Sequence, residues 1–189
     1  MRTIPQLQAA RAWEALRRTV RGARDVLAIV LVAVVLAQLV MTSVAQAYQV
    51  EQSSMEPTLL PHDRVLVNKL VYRLRAPRPG DVVVLRYPRD PTRNYIKRLV
   101  AGPGARVEIR AGQLLVDDRP VEEVYLNGIQ GPPTGDWGPE VVPPDSYFVL
   151  GDNRNNSEDS RVFGFLRREQ IVGPAILIYW PPHRARLLP

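Results

Sequence analysis

Lysine is scarce in this chain. Of its 25 basic side chains 23 are arginines, and the two lysines are Lys69 and Lys97. Arginine keeps its proton inside a protein, whereas a buried lysine can lose it. A desolvated, neutral amine can then act as a general base. Lys97 lies in Asn94-Tyr95-Ile96-Lys97-Arg98-Leu99-Val100. As a strand, this segment puts Tyr95, Lys97 and Leu99 on one side and Ile96, Arg98 and Val100 on the other. Lys97 thus gains apolar neighbours on its own face while Arg98 points away. Lys69 sits in an alternating apolar run and reads more simply as a surface or snorkelling group.

A base needs a nucleophile, and two serines are candidates. Ser53 and Ser54 stand in Glu51-Gln52-Ser53-Ser54-Met55-Glu56-Pro57-Thr58-Leu59, where the proline fixes the chain locally. A third polar stretch, Gly151-Asp152-Asn153-Arg154-Asn155-Asn156-Ser157-Glu158-Asp159-Ser160-Arg161, follows an apolar run. Its acids, amides and arginines suit a closed hydrogen-bond network supporting a site. Other chemistries are excluded by composition. The chain has no cysteine, so it has no disulfide, thiolate zinc site or cysteine nucleophile. Its two histidines, His62 and His183, leave few candidates for a triad and rule out a His-rich metal site.

These segments need elements to position them, and the pattern is that of strands and turns. Arg64–Val71, Asp81–Tyr87, Asn94–Val100, Arg106–Arg110, Gln113–Val116, Val121–Tyr125, Ser146–Leu150 and Ile171–Tyr179 are short β-type runs. Asp117-Asp118-Arg119-Pro120 suggests a hairpin. Residues 131–144, with five prolines and three glycines, predict an exposed extended loop. Only Arg161–Gln170 has room for a short helical turn. The 18 prolines and 12 glycines fit a loop-rich β protein.

Ahead of this β-rich part, residues 26–47 carry no charge and are mostly Val, Leu and Ala. As a helix they would span roughly 33 Å, enough for a hydrocarbon core. Residues 1–25 hold six arginines against Glu14 and Asp25. This bias predicts a basic cytoplasmic N-terminus (1–25), a transmembrane helix (26–47) and an extracytoplasmic domain (48–189). Ala45-Gln46-Ala47 has the small-residue pattern of a signal-peptide cleavage site, but the 25-residue leader before the apolar run favours an uncleaved anchor. Most of the basic excess lies in the N-terminus rather than on the folded part, which argues against nucleic-acid binding.

Together the segments resemble the type I signal peptidases, the membrane-bound serine–lysine proteases that remove signal peptides from exported proteins. Ser54–Leu59 matches Ser-Met-x-Pro-Thr-Leu, Gly80–Val84 matches Gly-Asp-x-Val-Val, and Tyr95–Arg98 matches Tyr-Ile-Lys-Arg. Gly151–Arg161 matches Gly-Asp-Asn-Arg-x-Asn-Ser-x-Asp-Ser-Arg. The order is the family's, and the likeness runs from the apolar segment to about Trp180. It implies a mainly β, antiparallel-strand-rich catalytic domain after one N-terminal transmembrane helix. It implies Ser54 as nucleophile, Lys97 as base and Ser157 as the hydroxyl that orients the lysine. Met55, Arg98, Asp152, Asp159 and Arg161 match supporting positions. No metal or cofactor is implied. The implied partners are exported preproteins, the lipid bilayer and a neighbouring secretion translocase, at the cytoplasmic membrane.

Two departures stand out. The family often has a serine two places before the nucleophile that helps form the oxyanion hole; here that place holds Gln52. Either its amide or backbone N–H groups, including that of Ser54, can serve. Ala101-Gly102-Pro103-Gly104-Ala105 lacks the acid that often follows. Two rival readings are a Ser–Lys processing protease with a narrow substrate and a non-catalytic anchored β-domain that binds envelope proteins.

Overall fold

A computed structural model describes residues 21–38, 44–126 and 135–188. The chain divides into Met1–Ser43 and Val44–Pro189. In the first unit residues 21–38 are helical, and their apolar side chains are exposed. Among the described residues no helix is long and apolar enough to cross a membrane. The expected transmembrane helix extends to residue 47; its residues 39–43 lie outside the described residues, as does most of the N-terminal segment 1–25. Its last residues differ from expectation. Ala45–Gln49 is a strand, β1, because its residues pair in register with Arg64–Asn68, β2. A long-range ladder here overrides the helical reading of an apolar run.

The second unit is built of antiparallel strands. Beyond β2 the main sheet continues through β11 (Ile171–Trp180), β3 (Val82–Tyr87), β4 (Asp90–Ala101), β9 (Ser146–Leu150) and β10 (Leu166–Arg167). Strand β12 (Arg186–Leu187) pairs with β11 off this path. β11 bends from one partner to another: Ile171–Pro174 pairs with β3 and Ala175–Trp180 with β2. Gly173 permits this, since a Cβ there would sit 2.3 Å from Asn68 O. A smaller sheet holds β7 (Arg119–Pro120), β6 (Gln113–Val116), β5 (Arg106–Arg110) and β8 (Trp137–Val141).

β3 shows why the main sheet forms. Its residues are buried on both faces: Val82 and Val84 join a cluster with Met55, Leu59, Val65 and Ile178, while Val83 and Leu85 join one with Tyr95, Leu99 and Tyr147. Burying a Val or Leu fully contributes about 1.5–3 kcal/mol, so this strand anchors both layers. A third cluster, with Val107, Ile109, Leu114, Phe148 and Leu150, lies under the smaller sheet.

Several boundaries differ from those expected. Val121–Tyr125 is not a strand. The hairpin turns at Asp117 and Asp118, both with positive φ, and pairs Val116 with Arg119. This two-residue turn leaves only Arg119–Pro120 to pair, and Val124–Leu126 forms a single helical turn. Residues 131–134 of the Pro/Gly-rich loop lie outside the described residues, and Trp137–Val141 pairs with β5 as β8. Pro139 is tolerated because β8 is an edge strand. The window Arg161–Gln170 overlaps two helical turns, Ser160–Phe163, capped by Asp159, whose carboxylate accepts from Arg161 N, and Arg168–Gln170; contrary to expectation Val71–Leu74 forms another.

Candidate active site

Ser53–Met55 form one tight turn. Met55 anchors it: the side chain is buried in the core and its carbonyl accepts from Leu59 N at 2.9 Å. The polar stretch after β9 holds the turn from outside. Asn153 N donates to Ser54 O at 3.0 Å, Asn153 Nδ2 to Ser53 O at 3.2 Å, and Asn156 Nδ2 to Ser53 Oγ at 2.9 Å. Gly151 makes this approach possible. A Cβ there would lie 2.5 Å from Ser54 O and 2.2 Å from Ser157 Oγ. The two serines are therefore distinguished by their surroundings: Ser53 is bound by Asn156, and Ser54 meets Lys97.

Lys97 is carried by β4, paired with Val83 of β3. It is 1% exposed, and its Nζ donates to Ser54 Oγ at 2.7 Å. Burial lowers its pKa from 10.5 to about 8, partly opposed by the charges of Asp159, Glu158 and Asp152. At pH 7 about a tenth of such amines are neutral. A neutral amine at this distance can accept a hydroxyl proton, which is the arrangement nucleophilic catalysis requires.

The neighbouring cation is treated in the opposite way. Arg98, also 1% exposed, points to the other face and is held by a carboxylate, a carbonyl and the Thr58 hydroxyl. It makes two bonds to Asp152, at 2.8 and 2.7 Å, and one to Gly80 O at 2.9 Å. Its guanidinium lies 3.8 Å from the Tyr125 ring centroid. Asp159 plays a similar part within the loop. It accepts Gly151 N at 3.0 Å and two bonds from Arg161, which also donates to Arg154 O. Such bidentate pairs fix orientation as well as charge. Ser157 is placed differently from the expectation: its Oγ is buried against Gly151 but has no hydrogen-bond partner, so it makes no bond to Lys97. Gln52 is exposed on the cleft, and its side chain does not cap the Ser53–Met55 turn.

Sequence reasoning missed several residues here. Asn153 and Asn156 were visible only as polar neighbours. Tyr125, over Arg98, and Glu123, paired with Arg154, come from a segment read as a strand. Glu158, which accepts from Tyr87 and Tyr95, gave no signal beyond its place in the polar stretch.

The Ser54–Lys97 pair opens onto a cleft of about 460 Å³, lined by residues 47–52 on one side and 92–97 on the other. Both walls present unpaired backbone. β1 is the first strand of its sheet, and β4 pairs with β9 only from Arg98 onward. Such edges can add an extended peptide as a further strand.

Residues 23–180 match the family described as Signal peptidase, peptidase S26. Signal peptidase I of Leptolyngbya laminosa is 43% identical over 159 residues, which cover 80% of this chain and 76% of that protein. Probable signal peptidase I-2 of Synechocystis sp. is 43% identical over 162 residues, covering 82% and 72%. Signal peptidase I P of Bacillus subtilis subsp. natto is 39% identical over 165 residues, covering 83% and 89%. Together with the antiparallel β architecture, these likenesses define a serine endopeptidase. The chain belongs to the signal peptidase family, peptidase S26.

Proposed function

We propose that this protein removes signal peptides from exported preproteins, with Ser54 as nucleophile and Lys97 as general base. The observation that carries this reading is the 2.7 Å bond between Lys97 Nζ and Ser54 Oγ, made by an amine that burial has brought to a pKa of about 8. The neutral amine takes the Ser54 hydroxyl proton as Oγ attacks the scissile carbonyl carbon. The tetrahedral oxyanion is stabilised by backbone N–H donors, that of Ser54 among them, and Gln52 is close enough in sequence to add its amide. Collapse breaks the C–N bond, and Lys97 returns the proton to the leaving amine. Water then attacks the acyl-enzyme, giving a proton to Lys97, which passes it to Ser54 Oγ as the acyl C–O bond breaks.

The rest of the reading follows from the substrate. An extended peptide lies between the free edges of β1 and β4, with small side chains such as alanine before the cut. The uncharged run that starts at residue 26 anchors the protein in the cytoplasmic membrane ahead of β1, with the N-terminus inside and the β-rich unit outside. The uncharged run and its arginine-rich flank support this orientation. Anchoring raises the local concentration of a substrate that is itself membrane-inserted. The partners are signal-peptide-bearing preproteins, the bilayer and the nearby translocase. In this reading Ser157, whose Oγ is buried and unbonded beside Gly151, turns to orient the lysine amine.

A serine-directed acylating reagent tests the assignment. Acyl mass on the Ser54 peptide, together with cleavage of a preprotein after its Ala-x-Ala site, is expected. Ser54→Ala should lose both. Cleavage by purified Ser54→Ala at a wild-type rate would overturn the reading.

A further inference from the structure

Three carboxylates raise the proton affinity of Lys97, and they are not equivalent. Asp152 is paired with Arg98 and Asp159 with Arg161, so each brings a cation along with its negative charge. Glu158 is held differently. Its two oxygens accept from neutral phenols, Tyr87 Oη on one and Tyr95 Oη on the other at 2.8 Å, and among the described residues it makes no ion pair. Two guanidinium groups also act on Glu158 through charge alone, without an ion pair among the described residues. Arg89 donates to Val162 O at 2.7 Å, and Arg93 lies over the Tyr87 and Tyr95 rings at 5.9 and 5.4 Å. Glu51 lines the same cleft but is exposed.

The two phenols form a rigid unit. Their rings stack at 4.5 Å, and Phe163 meets the Tyr87 ring edge-on at 5.9 Å. Tyr95 is buried two residues before Lys97 on β4, and the amine lies 5.2 Å from its ring centroid. Glu158 is thus tied to the strand that carries Lys97, through the ring the amine touches. It also directly follows Ser157 in the chain.

Resting on the Ser54–Lys97 reading, we propose that Glu158 is a positioning residue: bonded to Tyr87 and Tyr95, it fixes the Tyr95 ring beside the amine of Lys97, and its charge sets the pH at which the enzyme becomes active. The physical chain is short. Burial disfavours the ammonium form, and a fixed negative charge nearby favours it. The two phenol bonds keep the Glu158 carboxyl below its ordinary range, so it stays ionised throughout the interval in which Lys97 titrates. Asp152 and Asp159 contribute in the same sense, but their charges are offset by Arg98 and Arg161. Glu158 is partly exposed, so solvent screens its effect and the expected shift is modest.

The acid limb of kcat/KM for the full chain, measured on a preprotein with an Ala-x-Ala site, is the test. In Glu158→Gln the limb should move to lower pH by a few tenths of a unit, giving roughly twice the wild-type rate at the foot of the limb relative to each enzyme's plateau. Glu158→Asp, which keeps the charge, should restore much of the wild-type position. A purely structural role would lower the plateau and leave the limb where it was; that result overturns the proposal. Should Glu158→Gln fail to fold, the double variant Tyr87→Phe/Tyr95→Phe unties the carboxylate and reads the same limb, with the same shift expected and the same unmoved limb contradicting it. Lys97→Arg in the same assay separates the two claims. Activity in Lys97→Arg defeats the Ser–Lys reading itself, whereas an inactive Lys97→Arg with an unmoved Glu158→Gln limb defeats only the role of Glu158.

Discussion

The two sheets of the Val44–Pro189 unit bury different chemistry. Under the smaller sheet the core is Val107, Ile109, Leu114 and Val142, closed by Phe148 and Leu150, with Trp137 packed at 4.4 Å from Phe148. Among the described residues, every fully buried polar or charged side chain lies outside residues 105–142. The main sheet instead buries Lys97, Arg98, Asp152, Asp159 and Ser54. Apolar burial stabilises the first region directly. The second region accepts the cost of desolvating charges, and only some of those charges are offset. Arg98 has a bidentate carboxylate; its neighbour Lys97 has a hydroxyl and an aromatic ring. On the proposed reading, the difference between adjacent cations on one strand separates a structural charge from a reactive one.

Substitutions can break that contrast in graded ways. The largest effect is expected at Lys97. Lys97→Met should lower kcat/KM by at least about a thousandfold, the order associated with losing an activated nucleophile's base. The same change should raise stability at pH 7 by about 1–3 kcal/mol, because an ammonium is no longer buried. The sign follows from the depressed pKa. Below pH 8 both folded and unfolded chains are protonated and the folded state bears the full cost; from pH 8 to 10.5 the unfolded chain holds more protons and the cost fades. The stability gain of Lys97→Met should therefore shrink across that interval, as denaturant melts at pH 7 and pH 10 would show.

The paired charges should behave oppositely. Asp152→Asn leaves Arg98 buried beside a neutral amide and should cost about 3–5 kcal/mol in the same melts. In the smaller sheet, Ile109→Ala should cost about 2–4 kcal/mol by opening a cavity. Its kcat/KM, assayed well below Tm, should stay within about twofold of wild type. The smallest effect belongs to the exposed pair of Arg106 and Asp118, where Arg106→Ala should cost less than about 1 kcal/mol. A loss of activity from Ile109→Ala as large as that from Lys97→Met would erase the distinction between the sheets.

The chain spells out its strands better than their partners. Alternation in Asn94–Val100 puts Tyr95 and Leu99 on one face, where they share a core cluster; Ile96 and Val100, on the other face, pack in two different clusters. Asp81–Tyr87 likewise reads as a strand, but its burial on both faces emerges only in the structure. Ala45–Gln49 did not read as a strand, because its strand conformation depends on pairing with a segment about twenty residues away. Pro139 in β8 is similar: the residue argues for a loop until the strand is seen at an edge. The site shows the same limit. Lys97 was legible from the scarcity of lysine and its apolar flanks. Glu158 was not, because its meaning comes from two hydroxyls 71 and 63 residues away. Ser157 was expected at the lysine and instead lies unbonded against Gly151, a rotamer-level detail no spacing encodes.

The central claim is that Lys97 works as a desolvated base on Ser54. The most direct measurement is kcat/KM against pH for wild type and Lys97→Arg on one preprotein. Wild-type activity is predicted to rise with pH along a single limb centred near 8, while Lys97→Arg, folded and still cationic, stays inactive throughout. A flat wild-type profile from pH 6 to 9, or substantial cleavage by Lys97→Arg, would contradict the account.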